Sequence, residues 1–229
     1  MSLLSLLALL PFGLFGTAIE MPVPTIQTPL QGIYMTSSTV GGKHGDAMAD
    51  EFAKLGGNMV VFDVQDSNGR LAYSSNVPLS IQLVNRGGSI KDLSATVKNL
   101  REKGFYTVAR FVLFKNGFLA QKKPEWTIKK KGTKSPFVSR DGPIWLDPGN
   151  TELREYYLDI CREIALSGVD EIQFDYVRFP EGGKGGYVGY SFTGDNIFTR
   201  DQAITDFVSL AAQAIHYLGP RVGIDVFGI

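Results

Sequence analysis

The chain has 229 residues, 44% of them apolar and 20% charged, with 23 basic and 23 acidic side chains and so no net charge. That balance is ordinary for a globular domain with a sizeable core, and it leaves no global field to draw the chain to nucleic acid or to an anionic membrane. A single cysteine, Cys161, and two histidines, His44 and His216, exclude an intramolecular disulfide, a cysteine-based cluster and a histidine-rich metal centre. No metal or organic cofactor is implied.

The first 19 residues carry no charge, Leu3 to Leu10 form a near-continuous apolar run, and Gly16-Thr17-Ala18 offer small residues for signal-peptidase cleavage. Residues 1–18 therefore read as a signal peptide or an N-terminal anchor, with a buried segment as the plain alternative, and 19–30 as a linker. The expected location is secreted or cell envelope. From Gly32 the pattern alternates between strand and helix. Strands are predicted at Gly32–Ser37, Asn58–Asp66, Phe105–Phe114, Val169–Phe179 and Arg221–Phe227. Helices are predicted at Asp46–Leu55, Ser89–Lys103, Glu152–Ser167 and Asp201–Leu218. Ser89 suits an N-cap, while Gly104 and Gly168 suit helix stops. Cys161 falls on the third helix and reads as a small buried apolar residue.

Strands alternating with helices imply βαβ units and a parallel sheet. A doubly wound dinucleotide fold would place G-x-G-x-x-G after the first strand, and SSTVGGKHGD has none. The two longest connections, Lys115–Gly149 and Pro180–Thr199, both follow strands, as the loops of a barrel's active face do. The expected fold class is α/β, of the (β/α)8 TIM-barrel type. It is incomplete, with about five β/α units: the domain spans 31–229 and lacks its C-terminal part. The fifth strand would then be an exposed edge.

In GVDEIQFDYVRFP (Gly168–Pro180) the period of two puts Glu171, Gln173 and Asp175 on one face and Ile172, Phe174 and Tyr176 on the other. Apolar residues should meet the helices and polar ones the lumen, where unsatisfied polar groups are expensive. Asp175 lies toward the carboxyl end of its strand, where barrel enzymes keep catalytic groups. Arg178 is placed to hold a carboxylate or a substrate oxygen; a structural Asp–Arg pair is the bland alternative. Asp63 ends the second strand with Gln65 on the same face, Arg110 interrupts the apolar third strand, and Asp225 lies in the fifth. For Asp63 and Arg110, satisfied core polar groups are an equal alternative. Glycosidic cleavage needs two carboxylates, one an acid and the other a nucleophile or a base for water. Asp175 and Asp225 on neighbouring strands are the catalytic candidates, with retention or inversion open. Asp63, Arg110, Gln173, Tyr176, Arg178 and Trp145 are candidates for substrate binding.

Gly168–Pro180 resembles the signature of the glycosyl hydrolase family DUF4015. The segments QGIYMTS, NMVVFDVQDSNGRLAYSS, VARFVLFKN, Trp145 to Pro148 and VGIDVFG resemble it in the same order, from about Gln31 onward. The resemblance implies a TIM-barrel fold and a role on an extracellular or envelope polysaccharide. The family's further acidic and aromatic segment, in the last third of the barrel, has no counterpart here, which raises the expectation of an inactive fragment. A chitinase-type motif, aligned on Asp170 and Asp175, would need an acid where Val177 stands, so that substrate-assisted mechanism is not supported.

Between Lys115 and Arg140 lie eight basic residues (Lys115, Lys122, Lys123, Lys129, Lys130, Lys131, Lys134, Arg140) against one acid, Glu125. Charge runs usually face water, so a solvated loop is the first reading and recognition of an anionic glycan the second. Trp126, Trp145, Tyr187 and Tyr190 are candidates for stacking on sugar rings. EGGKGGYVGY lacks the G-K-[ST] end of a phosphate loop and reads as a flexible loop or lid. The reading is a glycoside hydrolase whose partner is a polysaccharide or oligosaccharide, with an anionic one as an option and no nucleic acid. Any membrane contact is through the N-terminal segment. A non-catalytic carbohydrate-binding protein on the same scaffold is the rival.

Overall fold

A computed structural model describes residues 29–85, 87–140, 142, 144–180 and 189–226. The expected signal segment, most of the linker, Tyr187 and the glycine-rich stretch from 181 to 188 lie outside the described residues.

Five parallel strands form the main sheet: β1 (Gly32–Met35), β2 (Met59–Gln65), β3 (Tyr106–Val112), β5 (Glu171–Asp175) and β7 (Arg221–Ile224), in the spatial order β1-β2-β3-β5-β7. Every neighbour is the next strand of the sheet in chain order, and helices connect them, which is the progression of a (β/α) barrel. The fold is α/β of the TIM-barrel type. Among the described residues the barrel is open, with β1 and β7 at its edges. Ile224 and Val226 are exposed along the β7 edge.

The helices are α1 (Ser37–Val40), α2 (Gly45–Lys54), α3 (Pro78–Leu83), α4 (Leu93–Glu102), α5 (Gly117–Lys122), α6 (Thr151–Leu166) and α7 (Arg200–His216). The chain leaves β1 earlier than its pattern predicts, because the Thr36 hydroxyl accepts from the Thr39 amide and starts α1. The second predicted helix starts later, because its N-cap is Asp92, accepting from the Ala95 amide at 2.9 Å, and not Ser89. Gly104 and Gly168 do end their helices, at φ 87° and 88°, a conformation open to glycine at little cost. α7 begins with a reciprocal capping box between Thr199 and Gln202.

One face of the sheet is the core. Phe62, Phe111 and Phe174 are fully buried there. Phe111 meets Tyr157 of α6 edge-on at 5.3 Å, and Phe174 meets Phe207 of α7 at 6.3 Å. Truncating any of these rings costs about 3–5 kcal/mol, since the packed surroundings collapse only in part. Cys161 is fully buried on the same side, and burial pushes its thiol well up, so it behaves as an apolar residue.

Two corrections concern the other face. Gln65 does not share it with Asp63. A register shift between Asp63 and Gln65 pairs Gln65 with Phe111, and its amide donates to the Val112 carbonyl at 2.6 Å inside the core. Tyr176 does not follow Ile172 and Phe174 into the core. It takes a left-handed φ of 50°, which ends the alternation just after β5 and turns the ring to the other side, where it lines a cleft.

The two long connections are folded. The first holds α5, a 3-10 turn at Pro124–Trp126 and β4 (Lys129–Lys130); the second holds β6 (Tyr190–Ser191), which pairs antiparallel with β4. Ile128, Trp145, Phe179, Tyr190 and Ala203 form a second apolar cluster beneath them. Asp147 ties the two connections together by accepting from the amide and hydroxyl of Thr193, and burial raises its carboxyl.

Candidate active site

The lumen face carries a layer of polar side chains because neighbouring strands place them in register: Asp63 pairs with Arg110, Arg110 with Gln173, and Val112 with Asp175. Arg110 is the hub. Its Nη1 donates to Asp63 Oδ1 at 2.6 Å, its Nε donates to Asp175 Oδ2 at 3.0 Å, and Nη2 closes a second contact to that oxygen. The other oxygen of Asp175 accepts from the Tyr176 amide at 2.6 Å. A guanidinium suits this position because its planar fork serves two carboxylates at once.

Asp63 is buried, and its second oxygen accepts from the Tyr34 hydroxyl. Burial, with the Asp63 carboxylate beside it, pushes that phenol up to about 12. Tyr34, Asp63, Arg110 and Asp175 thus form one connected chain across four strands. Tyr34 is the residue the sequence reading missed. Its signal was its place in GIYMTS, on the lumen side of the first strand, but a lone tyrosine on a short strand has many explanations.

Asp225 lies just beyond β7 and accepts from the Gln173 amide at 2.9 Å. Its carboxyl is raised, first by burial and then by the Asp175 charge, with Arg110 opposing. Arg110, Asp175, Tyr176, Arg178, Asp225 and Val226 line one open cleft of about 210 Å³. The Arg178 guanidinium lies 5.1 Å from the Trp145 ring and 5.4 Å from that of Tyr176, and the Lys115 ammonium lies 5.0 Å from the Tyr176 ring.

All eight sequence candidates therefore meet in one place. Asp175, Asp225, Arg110, Tyr176 and Arg178 line the cleft, while Asp63, Gln173 and Trp145 each contact a lining residue. Three stacking candidates are corrected in their position. Trp126 is wholly buried with its indole N–H on Glu152. Tyr190 is buried against Phe179. Trp145 is 4% exposed and reaches the cleft through Arg178 and Tyr176, not by offering its own face. Asp170, the first acid of the chitinase-type alignment, is buried and accepts from the Thr107 amide and hydroxyl, both at 2.8 Å, in a structural clamp.

An open sheet of TIM-barrel type, with carboxylates gathered where its strands end, places the protein in the (β/α)-barrel fold class. A family model described as "Putative glycosyl hydrolase domain" (DUF4015) matches residues 32–229, and the chain belongs to that family. A solved structure of a hypothetical protein from Ruminiclostridium thermocellum ATCC 27405 is similar at 29% identity and a TM-score of 0.75, over 86% of this chain and 98% of that one. An alpha-galactosidase from Thermus thermophilus aligns at 17% identity and a TM-score of 0.56, over 91% of this chain and 41% of the enzyme. A GH20 exo-beta-N-acetylglucosaminidase from Vibrio harveyi aligns at 10% identity and a TM-score of 0.60, over 84% and 34%. The chain thus spans well under half of those enzymes, and at these identities the likeness is one of fold. No curated protein matches the sequence.

Proposed function

We propose that the chain is a glycoside hydrolase acting on an extracellular or cell-envelope polysaccharide, with Asp225 as the acid and Asp175 as the second carboxylate. The observation that carries this reading is that the two aspartates, one ending β5 and the other just beyond the adjacent β7, line one cleft in different surroundings. Asp175 is held by an arginine. Asp225 is partly desolvated beside another carboxylate, which favours its protonated form. A carboxyl raised in this way is suited to the role of acid. In the proposed step the Asp225 proton passes to the glycosidic oxygen as the C–O bond breaks, and the leaving sugar departs as an alcohol. As that bond breaks, Asp175 either bonds to the anomeric carbon or takes a proton from the water that attacks that carbon. In the first case water cleaves the resulting ester as it gives a proton back to Asp225; in the second the two carboxyls exchange protons with solvent to reset. Arg110 and Tyr176 N–H fix the Asp175 carboxylate, and Gln173 fixes Asp225. Secretion or attachment to the envelope belongs to the same proposal and rests on residues 1–18.

A second reading, a non-catalytic carbohydrate-binding protein, is favoured by one observation: both Asp175 oxygens already accept hydrogen bonds. Reducing-sugar release from a polysaccharide panel separates the two. Hydrolysis by the wild type that is lost in Asp175→Asn and Asp225→Asn supports the enzyme. Binding without release by the wild type sinks it.

A further inference from the structure

Part of the basic stretch is folded, with many of its charged side chains in solvent. Residues 128–137 form a hairpin clamped on both sides. Lys129 bridges to Pro136 and the Phe137 amide donates to the Ile128 carbonyl at 2.9 Å on the return side. Lys129 and Lys130 pair with Ser191 and Tyr190 on the other. The turn is closed by the Thr133 amide and hydroxyl, both donating to the Lys130 carbonyl at 3.0 Å, with Gly132 at φ 74°.

The cations of this region divide by partner. Lys123 is paired with Glu125 and Glu152. Lys129 donates to the Thr127 hydroxyl at 3.0 Å and is lowered by burial. Lys122 and Lys115 lie over aromatic rings. Lys130, Lys131 and Lys134 are exposed and form no ion pair among the described residues. The turn therefore presents three ammonium groups to solvent with no carboxylate paired to them among the described residues. The hairpin base is joined to residues that contact the cleft lining. The Ile128 amide donates to the Trp145 carbonyl at 3.2 Å, and the Trp145 ring carries Arg178. On its other side Tyr190, the partner of Lys130, stacks on Phe179, the residue after Arg178.

We infer that Lys130, Lys131 and Lys134 form a docking surface for an anionic polysaccharide, one bearing repeated carboxylate or phosphodiester groups, whose chain continues into the cleft. This rests on the glycosidase reading for the choice of a glycan. A cationic tip on a hairpin whose base joins the cleft wall gives such a polymer attraction that a neutral one lacks, without relying on the overall charge, which is zero.

The test is titration of the full chain with polygalacturonate, with phosphomannan and with neutral dextran at low salt. The proteins are the wild type, the triple variant Lys130→Ala/Lys131→Ala/Lys134→Ala and the triple arginine variant at the same positions. The alanine triple is expected to bind one or both anionic polymers about tenfold more weakly at ~50 mM salt, with the gap closing toward ~1 M as screening shortens to about 3 Å. Dextran should bind all three proteins alike, and the arginine triple should behave as the wild type. Whichever anionic polymer responds names the charged group. Equal binding of wild type and alanine triple to both anionic polymers overturns the inference. So does an equal or larger effect with single-stranded DNA or anionic phospholipid vesicles. Binding is read without turnover, so a wild type that hydrolyses nothing but retains the lysine-dependent binding removes the hydrolase reading and leaves the docking surface standing.

Discussion

Asp63 and Asp225 are aspartates near the carboxyl ends of strands on the same side of one sheet, yet the inner strands and the edge strand treat them oppositely. Asp63 sits on β2, between two neighbours, and both of its oxygens are taken, by Arg110 and by Tyr34. Asp225 follows β7, at the edge, with one amide partner and no cation in direct contact among the described residues. Register on both sides of β2 brings Asp63 a partner from each neighbouring strand and holds its charge still. Asp225 has a single side-chain amide partner among the described residues and lacks that clamp.

The largest expected effect tests the edge. Asp225→Asn should lower kcat/KM about 10²- to 10⁴-fold, the usual contribution of a positioned general acid, with little change in urea-denaturation midpoint. A loss of stability with activity kept would erase the contrast. The next tests the interior. Arg110→Ala leaves Asp63 buried with no cation and should destabilise the fold by about 3 kcal/mol, read from the denaturation midpoint. A smaller loss follows for Tyr34→Phe, which removes one hydroxyl from the Asp63 carboxylate and should cost about 1 kcal/mol, together with a weaker hold on the Arg110 chain.

The smallest effect is one of pH. A carboxyl raised in the folded state binds its proton more tightly folded than unfolded. Its stabilising contribution is therefore present below the ordinary aspartate range, about 3.9, and is lost as pH rises through the higher folded value. Over that mildly acidic window the wild type should lose stability relative to Asp225→Asn, by a small amount because the side chain is exposed. A flat difference between the two proteins would show that the edge acid is not raised.

The β5 segment is legible in the sequence because alternation fixes faces. Ile172 and Phe174 are buried and Glu171, Gln173 and Asp175 are not, as the period of two requires. The same rule failed at Gln65 and Tyr176, where one register shift and one left-handed residue reset the count. α3 and the β4–β6 pair leave no signal in the sequence because six- and two-residue elements are too short to show a period. The aromatics of that region invited a sugar-stacking reading, and burial beneath the pair gave Trp126 and Tyr190 another use.

The sequence by itself determined the α/β order, the family, the sheet's apolar face and the identity of the two candidate acids, because these depend on local period and residue type. Only the tertiary structure decided that Arg110 joins Asp63 to Asp175, that Tyr34 completes that chain, that Asp225 is left with Gln173, and that the lysines stand on a clamped hairpin. Each of these depends on register between segments 29 to 65 residues apart or on a hairpin paired with a distant strand. Hydrogen bonds across that separation leave no repeat in the chain from which they could be read.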